Sequence, residues 1–142
     1  MSIAKLTPIM YIDDDKDDQE IFKTALAVIK IHHPVISFWN GEEAWKYLIS
    51  QSVQPFIIFC DVNMPVMNGF ELRRRISENK KLERACIPFI FYSTSAEKKY
   101  VDMAYTLTVQ GYFKKPAQLS DIEEQLKRII DYWVDCRHPN NC

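Results

Sequence analysis

No excess of basic charge marks this chain: 18 lysines and arginines stand against 19 aspartates and glutamates, a formal net charge of -1 at pH 7. That balance argues against a nucleic-acid partner or an acidic membrane surface, both of which select clustered Lys and Arg. The N-terminus lacks the charged and apolar regions of a signal peptide, and no apolar run approaches the ~20 residues that cross a bilayer. A cytoplasmic location is therefore expected. Repeats, low-complexity segments and linkers are also missing, so the 142 residues are expected to form one domain, with 8–133 as its body and 134–142 as a tail. Cysteine is sparse. Cys60 and Cys86 lie in or beside apolar runs and are expected to pack as small hydrophobes. Cys136, His138 and Cys142 cluster in the tail, but no second ligand pair stands at a zinc-site spacing. A reducing compartment disfavours disulfides. His32 and His33 gain no role beyond the surface.

What the chain does have is alternation. Apolar runs at Pro8–Ile12, Val35–Trp39, Phe56–Cys60, Ile87–Tyr92 and Gly111–Phe113 read as five strands. Helical spacing appears between them: Ile21 to about Ile31, Ala44 to Ile49, Gly69 to Ile76, Ser95 to about Thr106, and Ser120 to about Tyr132. Pro34 is expected to end the first helix, Asn40 and Gly41 to form a turn, and 77–84 to be a helix end and loop. Ser95 is a candidate N-cap, and Ser120 with Glu123 forms a candidate capping box. Strands alternating with helices predict a doubly wound α/β fold, a five-stranded parallel sheet covered by five helices.

Several strand ends carry chemistry. Asp13 and Asp14 follow the first strand, Asp61 the third, Ser93 the fourth and Lys115 the fifth. In a parallel sheet these ends lie along one edge, where α/β ligand sites form. Carboxylates held close together resist joint ionisation, and a divalent cation removes that cost. Oxygen-only ligands select a hard ion, and Mg²⁺ suits an open site that also holds phosphate oxygens. A lysine and a hydroxyl would then contact a transferring phosphoryl group. Each residue taken singly has a plainer reading: Asp61 or the 13–18 acidic run as helix caps, Ser93 as a turn residue, Lys115 as a surface lysine. Four coincidences on strand ends make the joint reading the better one.

Tyr11-Ile12-Asp13-Asp14, Cys60-Asp61-Val62-Asn63-Met64-Pro65 with Gly69, Tyr92-Ser93-Thr94, and Gly111-Tyr112-Phe113-Lys114-Lys115-Pro116 occur in that order. Over nearly its whole length the chain resembles the response-regulator receiver domains of two-component signalling. The resemblance implies a flavodoxin-like strand order 2-1-3-4-5 and a single-domain regulator. It implies Asp61 as phospho-acceptor, Asp13 and Asp14 as the metal-binding pair, and the backbone carbonyl of Asn63 as a further ligand to Mg²⁺, with Mn²⁺ as a substitute. Ser93 and Lys115 would contact the phosphoryl group, with Lys115 rather than Lys114 matching the family's lysine because Pro116 follows it. Ser93 and Tyr112 would act as the switch, and Pro65, Gly69 and Pro116 as structural residues, Pro116 carrying a cis peptide bond. The implied donor is a sensor histidine kinase or phosphotransfer protein. The implied output is a protein-binding surface on the fourth helix, fifth strand and fifth helix, read by a downstream protein. Beyond its own phosphorylation and dephosphorylation no enzyme activity is implied. Tyr100, Val101, Met103 and Tyr105 offer an apolar face there, for a homodimer or for a target. Thr94 departs from the smaller residue usual in the family, and Asp15, Asp17 and Asp18 make the metal edge more acidic than most.

Two rivals are weaker. Asp13-x-Asp15 with Ser93 and Lys115 resembles haloacid-dehalogenase-like phosphatases, but the later acidic pair is missing and Asp61 goes unexplained. Asp13, Asp15 and Asp17 alternate like the start of an EF-hand loop, yet Asp18 stands where Gly is required and Thr24 where Glu is required.

Overall fold

The computed structural model describes residues 6–51 and 53–138, so Cys142 of the tail cluster lies outside the described residues. Five strands form one parallel sheet in the order β2-β1-β3-β4-β5: β1 (Ile9–Ile12), β2 (Val35–Phe38), β3 (Ile57–Cys60), β4 (Phe89–Ser93) and β5 (Gly111–Lys114). The chain reverses direction across the sheet between β1 and β3, and this switch point opens a crevice beyond the strand ends.

β1, β3 and β4 are buried along their full lengths because helices cover both faces. Alternate side chains divide between two cores. Ile9, Tyr11, Ile57, Phe59, Ile90 and Tyr92 pack with Phe22 and Leu26 of α1 (Lys16–Val28) and Leu126 and Ile130 of α6 (Leu119–Asp135). Met10, Ile12, Ile58, Cys60, Phe89 and Phe91 face the opposite way. They meet α2 (Gly41–Ser50), α3 (Gly69–Glu78), α4 (Lys80–Ala85) and α5 (Lys98–Thr106) through Leu48, Leu72, Leu82 and Ala104.

Among the described residues the five expected helices are all present, and a sixth, short one is added. The extra one, α4, arises within the polar stretch because the Asn79 side chain accepts from Leu82 N at 3.0 Å and Leu82 is buried. It ends on Cys86 in the left-handed region at φ 51°, which turns Cys86 out to solvent, contrary to its expected burial. α1 stops three residues before Ile31. Lys30 takes φ 61°, and Ile31 N donates to Leu26 O while Lys30 N donates to Ala27 O, a Schellman closure reached well before Pro34.

Asn40 caps α2 by accepting from Glu43 N, and Asn68 with Glu71 forms a capping box on α3. Ser95 and Ser120 do not cap. Ser95 is engaged in the β4–α5 loop, and α5 starts after Glu97 with no side-chain cap. α6 starts after Gln118, which places Ser120 inside the first turn.

Candidate functional site

The crevice at the switch point collects the expected residues from four elements. Asp13 directly follows β1 and is fully buried. Its Oδ2 accepts from Tyr11 OH at 2.8 Å and from Lys115 Nζ at 2.5 Å, and its Oδ1 from Asp15 N at 3.0 Å. Buried Gln19 donates to the carbonyls of Asp13 and Phe38, satisfying both strand ends. Asp14, next in the chain, is exposed.

Asp61 continues β3, its N–H donating to Ile12 O at 2.9 Å. Val62 N donates to its Oδ1 at 2.8 Å, and its Oδ2 stands 3.8 Å from Lys115 Nζ. One carboxylate oxygen from each of Asp13, Asp14 and Asp61 lies within 4.8 Å of the others. An all-oxygen, net-negative cluster of this size suits a hard divalent cation.

Asn63, Pro65 and Val66 form the exposed outer part of the β3–α3 loop, with Val66 in the left-handed region at φ 67°. Gly69 N then donates to Val62 O at 2.9 Å and closes the loop back beneath Asp61. Gly69 is required by closeness: a Cβ there would lie 2.3 Å from the Asp61 carbonyl oxygen.

Ser93 ends β4 and is buried; its hydroxyl accepts from Ser95 N at 3.2 Å, and its carbonyl accepts from Lys115 N at 2.8 Å. Thr94 is exposed. Tyr112 on β5 is half-buried beside Phe91, and its hydroxyl donates to the Ser95 carbonyl. Lys115 follows β5 with its side chain 7% exposed. It bridges Asp13 and Asp18, the latter at 2.9 Å. Among the described residues there is no cis peptide, so the Lys115–Pro116 bond is trans, contrary to the expectation for Pro116. Trans is the intrinsically favoured isomer, and the pairing of Lys115 N with Ser93 O already holds the lysine at the site.

Burial raises the Asp61 carboxyl above its ordinary value of 3.8; Lys115 opposes this, Asp13 adds to it, and the Val62 N–H opposes it. Burial also acts to lower the Lys115 ammonium, but Asp61 and Asp13 outweigh it and leave its pKa above the ordinary range. For Asp61 the folded value exceeds the unfolded one. Between the two values the folded state keeps a proton that the unfolded chain has released, so stability falls as pH rises through that window. Above it the cost is complete. In metal-free buffer at neutral pH, Asp61→Asn is expected to raise the melting temperature by a few degrees. That advantage is expected to shrink as pH falls through the acid range, as melts of both proteins across pH would record.

The sequence did not reveal Tyr11, Gln19 or Asp18 as contributors. Tyr11 stands in the first apolar run and its motif without a role of its own, and Gln19 lies before the helical pattern that starts at Ile21. Asp18 read as part of an acidic metal edge, whereas it pairs with Lys115; Asp15 is the N-cap of α1, accepting from Asp18 N.

The family model described as the response regulator receiver domain matches residues 9–127. Response regulator Rcp1 of a Synechocystis strain is 29% identical over 132 residues, covering 89% of this chain and 88% of that protein. The crystal structure of the phosphorylated cyanobacterial phytochrome response regulator RcpA superposes with a TM-score of 0.85 at 29% identity, covering 95% of this chain and 99% of that one. The Mn²⁺-bound form of Rcp1 superposes at 0.81 and 28% identity, covering 94% and 99%.

Proposed function

The chain belongs to the response regulator receiver family, and from that premise we propose that it is a phosphorylation switch whose acceptor is Asp61. The observation that carries this reading is the placement of Asp61: its Oδ1 is tied to Val62 N, and its Oδ2 faces Lys115 beside Asp13 and Asp14.

Receiver domains take phosphoryl groups from kinases and act on downstream targets. Here the donor is a sensor histidine kinase or phosphotransfer protein. Asp61 Oδ2 bonds to phosphorus as the bond from phosphorus to the donor nitrogen breaks, and the electron pair leaves with that nitrogen. Asp13, Asp14, Asp61 and the Asn63 carbonyl would hold Mg²⁺, with Mn²⁺ as a substitute. When bound, the ion supplies positive charge against the carboxylates and the phosphoryl oxygens. Lys115 donates to a phosphoryl oxygen, and the Ser93 hydroxyl donates to another. Ser93 moving toward the phosphoryl group alters the β4–α5 loop on which Tyr112 rests, which biases the surface of α5, β5 and α6.

That surface exposes Met103, Tyr105, Leu119 and Tyr132, and a downstream protein or a second copy reads it. Tyr100 and Val101 are only half-exposed. We place the protein in the cytoplasm as one receiver domain, with no enzyme activity beyond its own phosphorylation and dephosphorylation; among the described residues no helix is long and apolar enough to cross a membrane. Incubation with acetyl phosphate is expected to add one phosphoryl mass in Mg²⁺ and none in chelator, with no gain in Asp61→Asn. If the native chain gains no mass and beryllofluoride with Mg²⁺ leaves it unchanged, the reading fails.

A further inference from the structure

The single buried ammonium of the site is shared unequally. Lys115 Nζ lies 2.5 Å from Asp13, 2.9 Å from Asp18 and 3.8 Å from Asp61. Asp18 comes from the first turn of α1 and stands outside the Asp13–Asp14–Asp61 cluster. We propose that Asp18 is a positioning residue that holds Lys115 back from Asp61 and, through its charge, sets how favourably the site accepts a phosphoryl group. This rests on Asp61 being the acceptor.

An ammonium has three donors, and Asp13 and Asp18 take two. Asp13 is fully buried and fixed by Tyr11 OH and Asp15 N as well as by the lysine. Asp18 is the adjustable partner: its side chain is 30% exposed, against 7% for Lys115. A phosphoryl group on Asp61 brings more negative charge into the crevice. Lys115 offsets that charge only to the extent that other carboxylates have not already neutralised it, and Asp18 has the same sign as the incoming group. Its presence opposes phosphorylation twice over, by competing for the lysine and by repulsion. When Lys115 moves toward the phosphoryl oxygens, the Asp18 pair weakens. That pair ties α1 to the junction of β5 and α6, so its release is felt where those helices pack through Phe22, Leu26, Ile122 and Leu126.

Asp18→Asn keeps the shape and an acceptor oxygen for Lys115 while removing the charge. At saturating Mg²⁺ it is expected to bind beryllofluoride about threefold to tenfold more tightly than the native chain, by calorimetry, as fits a part-exposed charge-assisted contact. Phosphorylation by acetyl phosphate is expected to be faster by a similar factor. Asp18→Ser, a second charge-free variant, is expected to shift the same way, and Asp18→Glu to stay near native. A merely structural Asp18 would change the melting temperature and leave beryllofluoride affinity in place. If the native chain responds and neither charge-free variant binds more tightly, the role of Asp18 is refuted while Asp61 stands. If the native chain takes neither ligand, both readings fall together.

Discussion

Lys115→Met is expected to destabilise the protein by about 3–5 kcal/mol and to abolish its response to phosphodonors. The substitution keeps length and apolar volume but removes the one cation that, among the described residues, pairs with Asp13, Asp18 and Asp61. Asp13 has no exposure through which water could replace the lost partner. Removing one member of such a buried group leaves uncompensated charge, which costs far more than an exposed pair contributes. The melting temperature should fall on the order of 10 °C. Saturating Mg²⁺ should restore part of the loss, since it supplies positive charge to the same carboxylates. Lys114→Met is the control: Lys114 is exposed, and its loss is expected to stay within about 0.5 kcal/mol. Urea titrations of the two variants with and without Mg²⁺ would read both effects. Equal stabilities would remove the electrostatic account of the site.

Gly69→Ala is expected to cost about 3 kcal/mol and to impair phosphorylation in whatever fraction still folds. The added Cβ would sit 2.3 Å from the Asp61 carbonyl oxygen and 2.7 Å from Phe91 Cε1. Neither contact is with the end of a flexible chain. The Asp61 peptide is held on one side by Ile12 O, and the Val62 carbonyl is held on the other by Gly69 N. The strain therefore passes into the segment that aims the acceptor. Gly111→Ala is a useful contrast, because the nearest atoms its Cβ would meet belong to the Phe113 ring, at 3.0 Å and beyond. It is expected to be the milder change in both stability and phosphoryl uptake. Chemical denaturation together with acetyl-phosphate uptake would separate the two glycines.

The elements legible in the sequence were those with a local cause. Buried parallel strands are continuous apolar runs, so the positions of β1, β3 and β4 could be read directly, and with them the carboxylates and hydroxyl at their ends. The crevice followed from topology alone. What could not be read depended on partners distant in the chain or on competition between local motifs. Ser95 has the composition of an N-cap, but the Ser93 hydroxyl and Tyr112 engage its backbone, and α5 starts later. Ser120 and Glu123 have the spacing of a capping box, yet the helix starts one residue before Ser120. Lys30 ends α1 through a left-handed turn that a lysine does not advertise. Asp18 belongs to the acidic run 13–18, in which Asp15 caps α1, and only the fold brings Lys115, 97 residues on, to meet it.

The most direct test of the central claim is to locate the phosphoryl group. The native chain would be treated with acetyl phosphate and Mg²⁺, its acyl phosphate reduced with borohydride, and the modified peptide sequenced by mass spectrometry. The account predicts modification at Asp61 alone and none in Asp61→Asn. Modification at Asp13 or Asp14, or an unmodified chain in the presence of Mg²⁺, would contradict it.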